Sequence, residues 1–439
     1  MKTESAVTPL RREPRVYSRA EHNISRRNIS EEALKVLYRL DGAGFRACLV
    51  GGGVRDLLLG LEPKDFDIAT DALPEQVREL FRNSRLIGRR FRLAHVRFGR
   101  EIIEVATFRA SPDDGDGELE TTSDGRILRD NVYGTIDDDV WRRDFTANAL
   151  YYDIHDFSVI DYVGGVEDIK QGRMRLIGDA ERRFREDPVR MLRAIRFAVK
   201  LGFQLDQAAQ TGIEEHAHLL SEISPARLFD EMLKLFHGGH ALQTFESLRR
   251  YNLFAGLFAQ CEESLEHQHA GFPNSLIKLA LENTDKRIAA GQSVTPGFLI
   301  AAFLWDAFDE QRESLVAGGV NPHDAITQAA DTVISRQIAQ IAIPRRFTQM
   351  TREIWALQYR LNKLQAKRVT RLFEHPRFRA AYDFIVLRAE AGEPVTETAT
   401  WWTSFQAADD DAREQMLAAL KPGKSARSRR RRPRRKKAE

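Results

Sequence analysis

Cysteine is nearly missing from this chain: Cys48 and Cys261 are the two in 439 residues. That is too few for a disulfide framework or a thiolate metal cluster, and it suits a reducing cytoplasm, with both thiols expected as packed residues. Long apolar runs are missing as well. The longest, near Phe298 to Trp305, falls well short of the roughly 18 residues a membrane span needs. The basic N-terminus carries no apolar signal region. The expectation is a protein neither secreted nor membrane-spanning, so the Asn-Ile-Ser triplets at Asn23 and Asn28 read as turn or capping residues rather than glycosylation sites.

What is present is charge, unevenly spread. Of 67 Lys and Arg, eleven fall in residues 421–439 beside one acid, so that stretch carries +10; residues 1–420, with 56 basic and 63 acidic side chains, carry −7. The run from Arg427 to Lys437 cannot pack on itself and is expected to be disordered when free. A polyanion is its natural partner, held in a salt-sensitive and sequence-blind way. No aromatic side chain interrupts the run, so base stacking is not expected there. Gly423-Lys424-Ser425 is not a P-loop, because Ala418 stands where the first glycine is required. Hydrophobic residues at 42% and charged residues at 30% describe a soluble globular protein, and the length suggests roughly two to four domains.

The most informative stretch is Leu49-Val50-Gly51-Gly52-Gly53-Val54-Arg55-Asp56 followed by Lys64-Asp65-Phe66-Asp67-Ile68. Ala47 to Val50 reads as a short apolar strand and Val54 to Leu59 as a helical turn. The glycines between them let the backbone turn sharply and approach a ligand, and the helix start would favour phosphate. Asp65 and Asp67 lie two apart in a segment of strand character, so both carboxylates are expected on one face. Like charges side by side call for a cation. Mg²⁺ suits them, because it takes oxygen ligands and is usually completed by waters and substrate phosphates.

Around this stretch the chain reads as a mixed head and a long helical remainder. Residues 1–30 look like a flexible basic arm, and Ser30 caps a helix from Glu31 to Asp41. Pro74 to Phe81 is a second helix, while Leu93–Phe98 and Glu101–Phe108 alternate as a hairpin closed at Gly99-Arg100. Ser111 to Gly125 reads as a mobile acidic loop, and Ile154 to Val163 supplies one more strand. Beyond Val166, apolar positions recur at helical spacing in Pro188–Leu201, Pro225–Phe236, Leu242–Phe258, Leu276–Ala289, Pro296–Trp305, Ala325–Ile341 and Phe347–Lys363. The fold class is therefore α+β: a head with a small mixed β-sheet at 31–167, a helical neck at 168–240, a helical body at 241–420, and a tail at 421–439. Glu104, in the otherwise apolar strand Ile102–Thr107, costs stability unless paired or metal-bound. Its position beside the Asp-x-Asp strand favours a functional role over Glu101, which sits at the turn.

Two further constellations follow. Arg142-Arg143-Asp144-Phe145-Thr146-Ala147-Asn148-Ala149-Leu150 reads, taken alone, as capping and surface charge at a helix start. Glu186-Asp187-Pro188-Val189-Arg190-Met191-Leu192-Arg193-Ala194-Ile195-Arg196-Phe197 reads as a helix with Asp187 as N-cap and Pro188 at its first position. Asp187, Arg190 and Arg193 then share a broad face, Arg196 turns away, and Met191, Leu192, Ile195 and Val199 form the packing stripe.

The set LVGGGVRDLLLG, KDFDIAT, RRDFTANA and EDPVRMLRAIRF resembles the signature of the template-independent nucleotidyltransferases, which include tRNA CCA-adding enzymes and bacterial poly(A) polymerases. The resemblance covers about Asn23 to Phe203, with Ser224 to Phe236 recognisable. Leu86 to Val96 is similar to the pattern that separates poly(A) polymerases from CCA-adding enzymes, and the basic tail fits the former. The resemblance implies an elongated helical neck, body and C-terminal RNA-binding region behind a nucleotidyltransferase head. It implies Asp65 and Asp67, with Glu104 as third carboxylate, holding two Mg²⁺. Gly51, Gly52, Arg55, Arg143 and Asp144 would meet the sugar and phosphates of ATP. Asp187 and Arg190, with Arg193 and Arg196 in the same motif, would read the base in place of a template. The expected reaction is addition of AMP to an RNA 3′-hydroxyl by a monomer in the cytoplasm, with RNA-decay proteins or RNA chaperones as partners. A CCA-adding enzyme and a catalytically inactive RNA-binding scaffold are the alternatives; intact motifs argue against the scaffold. A metal-dependent phosphohydrolase finds only the isolated pairs His155-Asp156 and His323-Asp324.

Overall fold

A computed structural model of the protein describes residues 13–88, 92–110, 120–121, 127–129, 132–267 and 272–420. The basic tail at 421–439, the first twelve residues of the arm, Arg89–Phe91 and most of the acidic loop lie outside the described residues. The chain forms two compact units. Residues up to Ile223 together with Gln243–Leu253 make the first, and Ser224–Leu242 together with the chain from Phe254 make the second.

The first unit runs β1 (Arg15–Tyr17), α1 (Glu31–Gly42), β2 (Ala47–Val50), α2 (Gly52–Leu58), β3 (Asp67–Thr70), α3 (Pro74–Leu80), β4 (Ser84–Ile87), β5 (Leu93–Phe98) and β6 (Glu101–Thr107). A short ribbon of β7 (Glu120–Thr121) and β8 (Ile127–Arg129) follows, then α4 (Ile136–Trp141), β9 (Leu150–Asp153), β10 (Val159–Asp161) and α5 (Gly165–Lys170). The unit continues with β11 (Arg173–Met174), α6 (Ala180–Glu186), α7 (Val189–Leu201), β12 (Gln204–Leu205) and α8 (Gln207–His216). Eight strands form one mixed sheet in the order β1-β10-β9-β2-β3-β6-β5-β4, in which β3 and β6 are the parallel pair.

Strand alternation sorts the side chains onto two faces. Leu49, Ile68, Ile103, Val105 and Tyr152 pack with Ala33, Val36, Leu37 and Leu40 of α1 and Val77 of α3 in the main core. Cys48, Val50, Ala69, Tyr151 and Ile160 face the other way and pack with Ile136 and Val140 of α4. Both cysteines are free and buried, as expected.

Several local expectations change. Arg15–Tyr17 is not part of a loose arm but an edge strand paired with β10, and Tyr17 and Ile24 are buried in the main core. The scattered basic residues hid those anchors. β9 was not legible, because Ala147–Tyr152 is buried throughout and shows no alternation. The Arg142–Leu150 motif begins where α4 ends rather than where a helix starts. Asp187 closes α6, Pro188 is the N-cap of α7, and Asp187 Oδ1 accepts from the Val189 N–H at 3.3 Å. The division of the chain falls at Ile223 rather than at 167 and 240, because residues after 168 are tied to the first unit. The Phe145–Leu176 bridge and the Asp144–Arg193 ion pair are two such ties.

α10 (Ala241–Arg250) lies mostly in the first unit. The described part of the second unit is helical: α9 (Pro225–Phe236), α11 (Ala255–His267), α12 (Phe272–Ala289), α13 (Pro296–Phe303), α14 (Trp305–Ala317), α15 (Pro322–Gln340), α16 (Arg345–Leu361), α17 (Ala366–Phe373), α18 (Phe378–Glu390), α19 (Thr396–Ala407) and α20 (Asp410–Ala419). The run expected as one helix over Leu242–Phe258 is broken at Asn252, whose φ of 55° ends α10. Among the described residues no helix is long and apolar enough to cross a membrane.

One half-buried acid in this unit carries a cost. Asp306, in the first turn of α14, is pushed up to about 7 by burial and then by Glu393, Glu310 and Asp309, against the pull of Arg388. A carboxyl raised in the folded state contributes most below its ordinary value near 4, and that contribution is lost as the pH rises towards 7. Asp306→Asn is therefore expected to raise Tm at pH 8, by a stability gain on the order of a few kcal/mol, and to leave Tm nearly unchanged at pH 4. Thermal melts of both proteins at the two pH values check this.

Candidate active site

Sheet register builds the site. Arg85, His95, Glu104, Asp67, Val50 and Tyr151 are successive partners across β4, β5, β6, β3, β2 and β9. Opposed residues in neighbouring strands leave the same face, so this row sets His95, Glu104 and Asp67 side by side. Asp67 is the first residue of β3, whereas Asp65 lies in the approach to the strand. Strand alternation therefore does not orient Asp65. Its backbone runs beside the glycine turn, where a Cβ on Gly53 would stand 3.5 Å from the Asp65 carbonyl.

Like charge is crowded here. The Asp67 carboxyl is pushed up to about 6, first by desolvation and then by Glu104 and Asp65, against the pull of Arg143. Glu104 Oε1 lies 3.1 Å from His95 Nε2, so the glutamate in the apolar strand has a partner on its own face. Asp65, Asp67 and Glu104 offer only hard oxygen donors of one sign, which fits a divalent cation of the Mg²⁺ kind. Among the described residues no group of three or more His, Cys, Asp or Glu is placed so that it could by itself hold a metal ion.

On the neighbouring side of the row stands Arg143. Its Nε and Nη2 donate to Asp139 Oδ2 at 3.1 and 2.9 Å, and Nε also donates to the Tyr151 hydroxyl at 2.8 Å. Tyr151 in turn donates to Asp139 Oδ2 at 2.7 Å, and the guanidinium lies 4.9 Å from the centre of the Tyr151 ring. Burial alone would lower the Arg143 pKa, but Tyr151 and Asp139 hold it above its ordinary value. The group is a fixed cation. The sequence reading passed over Asp139, although its place four residues before Arg143 on a helix was a usable signal. Tyr151 gave none.

The glycine turn explains two of the other positions. Gly51 has φ 70° and ψ −135°, a conformation L side chains rarely adopt, and a Cβ there would come within 3.5 Å of Arg143 Nη1. Gly52 opens α2 directly above the Arg55 guanidinium. Arg55 itself is turned inward. It is 2% exposed, donates from Nε and Nη2 to Asp56 Oδ1 at 2.8 and 2.6 Å, and from Nη1 to Asn148 Oδ1 at 2.5 Å. It braces the turn against the Thr146–Asn148 turn from below.

Asp144 is likewise turned inward. Arg193 donates to its Oδ2 from Nε at 2.8 Å and Nη2 at 2.5 Å. Burial would raise the Asp144 carboxyl, yet Arg193 overcomes that and holds it below the usual carboxylate value. This pair pins α7 to the Arg142–Leu150 segment. Arg190 Nη1 donates to the Arg183 carbonyl at 2.8 Å and to Glu186 Oε2 at 2.9 Å, which places it at the start of α7 beside Asp187. Arg183, another residue the sequence did not single out, donates from Nη2 to the Arg142 carbonyl at 3.2 Å and to that of Arg143. Arg196 lies with its guanidinium 4.2 Å from the centre of the Phe197 ring. The structure thus gathers Asp67, Glu104 and Arg143 around one row, with Gly51 close to Arg143. Arg55, Asp144 and Arg193 stand behind it as supports.

Three family models match successive stretches of the chain. Residues 47–175 match "Poly A polymerase head domain", 202–265 match "Probable RNA and SrmB- binding site of polymerase A", and 318–436 match "Polymerase A arginine-rich C-terminus". Poly(A) polymerase I of Escherichia coli is 48% identical over 98% of this chain and 94% of its own length. A CCA-adding enzyme of Lactobacillus helveticus is 40% identical over only 49% of this chain and 52% of its own. Among solved structures, the Thermotoga maritima CCA-adding enzyme complexed with tRNA has a TM-score of 0.60 at 20% identity, covering 89% of this chain and 85% of that one. That last likeness is one of fold.

Proposed function

Because the chain belongs to the bacterial poly(A) polymerase family, we propose that the carboxylates around the head of β3 form the reaction centre of a polynucleotide adenylyltransferase. The enzyme adds AMP from ATP to RNA 3′ ends. Asp65 and Asp67, with Glu104 beside them, would hold the divalent metal that such chemistry implies, which we take to be two Mg²⁺. When bound there, the metal would supply polarisation of the RNA 3′-hydroxyl and neutralisation of charge on the triphosphate and departing pyrophosphate. The 3′ oxygen bonds to the α-phosphorus as the bond to the bridging oxygen breaks. Pyrophosphate leaves and the hydroxyl proton passes to solvent.

The protein's own part is positioning and fixed charge. Gly51 and Gly52 let the backbone come close to the triphosphate. Arg143, held by Asp139 and Tyr151, presents a cation that needs no rearrangement during reaction. Asp144 and Arg193 fix the start of α7, so that Asp187 and Arg190 meet the base in place of a template strand, with Arg196 further along the same helix. The tails give exonucleases a single-stranded end, and we infer that RNA-decay proteins or RNA chaperones work alongside the enzyme. Two buried free thiols suit a cytoplasmic setting.

The observation that carries this reading is the register of Asp67 with Glu104, with Asp65 in the approach. It crowds like charges, and that crowding is relieved by a cation. The test is extension of a labelled RNA bearing a free 3′-hydroxyl, with each nucleoside triphosphate alone and with all four. A long ladder with ATP alone is expected. Addition of two C and one A to tRNA, stopping there, would mean a CCA-adding enzyme, and tight RNA binding without extension would mean a scaffold.

A further inference from the structure

Between Ile354 and Phe373 the chain has five basic residues, Arg360, Lys363, Lys367, Arg368 and Arg371, and no acid. All five are exposed. Several other cations in this unit find acids: Arg352 with Asp331, Arg377 with Glu353, Arg379 with Asp383, Arg388 with Glu393 and Arg413 with Asp410. The five do not. None makes a side-chain hydrogen bond or ion pair among the described residues, and Glu374, which ends the run, reaches none of them.

Their setting adds to the imbalance. Lys367 and Arg368 lie in the first turn of α17, where the helix dipole is already positive and cations are unfavourable. The N-cap, Gln365, makes no side-chain cap. α17 is also firmly seated, with Val369 0% and Leu372 2% exposed in a core shared with Leu357, Leu361, Trp402 and Phe405. Lys367 and Arg371 are one turn apart on the side away from Val369, about 6 Å along the axis. A rigid helix therefore displays closely spaced positive charge that nothing in the described fold neutralises.

We propose that this ridge on α17 and the end of α16 is a second grip on the RNA substrate, holding phosphates of the strand away from its reacting 3′ end. The proposal rests on the reading of RNA as substrate. It is separate from the basic tail at 421–439. With four of the five charges on or beside α17 and no exposed aromatic among them, the contact is to backbone rather than base, and so is sequence-blind and salt-sensitive.

The test uses the full chain, tail included, with Lys363→Gln, Lys367→Gln, Arg368→Gln and Arg371→Gln combined. Binding of a labelled long oligo(A) is followed by anisotropy across a salt series, and extension of a short primer by ATP is followed in parallel. The expected result is tenfold or more weaker binding of long RNA at low salt, and a slope of log affinity against log salt shallower by roughly 2–3. kcat on the short primer and KM for ATP stay as in the wild type. A charge-keeping variant, Lys363→Arg, Lys367→Arg, Arg368→Lys and Arg371→Lys, is expected to bind like the wild type. Unchanged affinity and slope in the glutamine variant would overturn the proposal and leave an acidic protein as the ridge's partner. Equal weakening in the charge-keeping variant would overturn it too, by showing a packing effect. Failure of the wild type to extend any primer with ATP would instead strike the functional reading, while the binding comparison still reports on the ridge.

Discussion

Asp67→Ala stops extension of RNA by ATP, lowering the rate by roughly 10³-fold or more, while the protein still folds and still binds RNA. The size follows from the several kcal/mol of charge stabilisation that a bound metal supplies at a phosphoryl centre, each 1.36 kcal/mol being tenfold in rate. The intact fold follows from the site's own electrostatics. Asp67 is pushed up to about 6 by desolvation and by Glu104 and Asp65, so its charge opposes folding in the absence of metal, and its removal does not lower Tm of the metal-free protein. A labelled-RNA extension gel at saturating ATP and Mg²⁺, with a melt and a binding curve on the same preparation, checks all three. Extension within tenfold of wild type would remove Asp67 from the reaction centre.

Arg193→Ala is the second large effect, and it acts on stability. The Asp144 side chain is 13% exposed and Arg193 31%, and their pair joins residues 49 apart in sequence. Removing the cation leaves a carboxylate buried without its partner, a change that costs about 3 kcal/mol. The sign with pH identifies the cause. In the wild type the Asp144 carboxyl lies below its ordinary value, so its contribution is present above pH 4 or so and is lost as the pH falls through the folded value. Without Arg193, burial dominates and the carboxyl rises. The variant then loses stability as the pH rises above its ordinary value, the opposite slope. Denaturant melts from pH 4 to pH 8 are expected to show the deficit of Arg193→Ala growing with pH, and a deficit constant across that range would assign the loss to packing instead.

The two effects also show what the sequence made legible. Glu104 is reached through the resemblance and the hairpin expected beside the Asp-x-Asp strand, and the register of β3 with β6 sets it opposite Asp67. Asp65 precedes the ladder, which begins at Asp67, so strand alternation does not by itself orient it. The helical motif of α7 was readable from its stripe of Met191, Leu192 and Ile195. Its arginines were not, since Arg193 turns to Asp144 and Arg190 to the Arg183 carbonyl, partners fixed by tertiary packing. Arg55, which the resemblance implies at the nucleotide, is buried with its neighbour Asp56 and with Asn148. A carboxylate beside an arginine in sequence gives no sign of being buried with it. β9 was hidden for the opposite reason, being apolar on both faces, and with it went Tyr151, the residue that holds Arg143 in place.

The most direct test of the central claim is a Mn²⁺ titration followed by electron paramagnetic resonance. It would compare the full chain with the Asp65→Asn, Asp67→Asn double variant, each with and without a non-hydrolysable ATP analogue. The account predicts that the wild type with the analogue binds ions beyond those the free nucleotide holds, about two per chain, and that the double variant loses them while keeping its fold. Equal Mn²⁺ binding by the two proteins would contradict it and place the metal, and with it the reaction, away from β3.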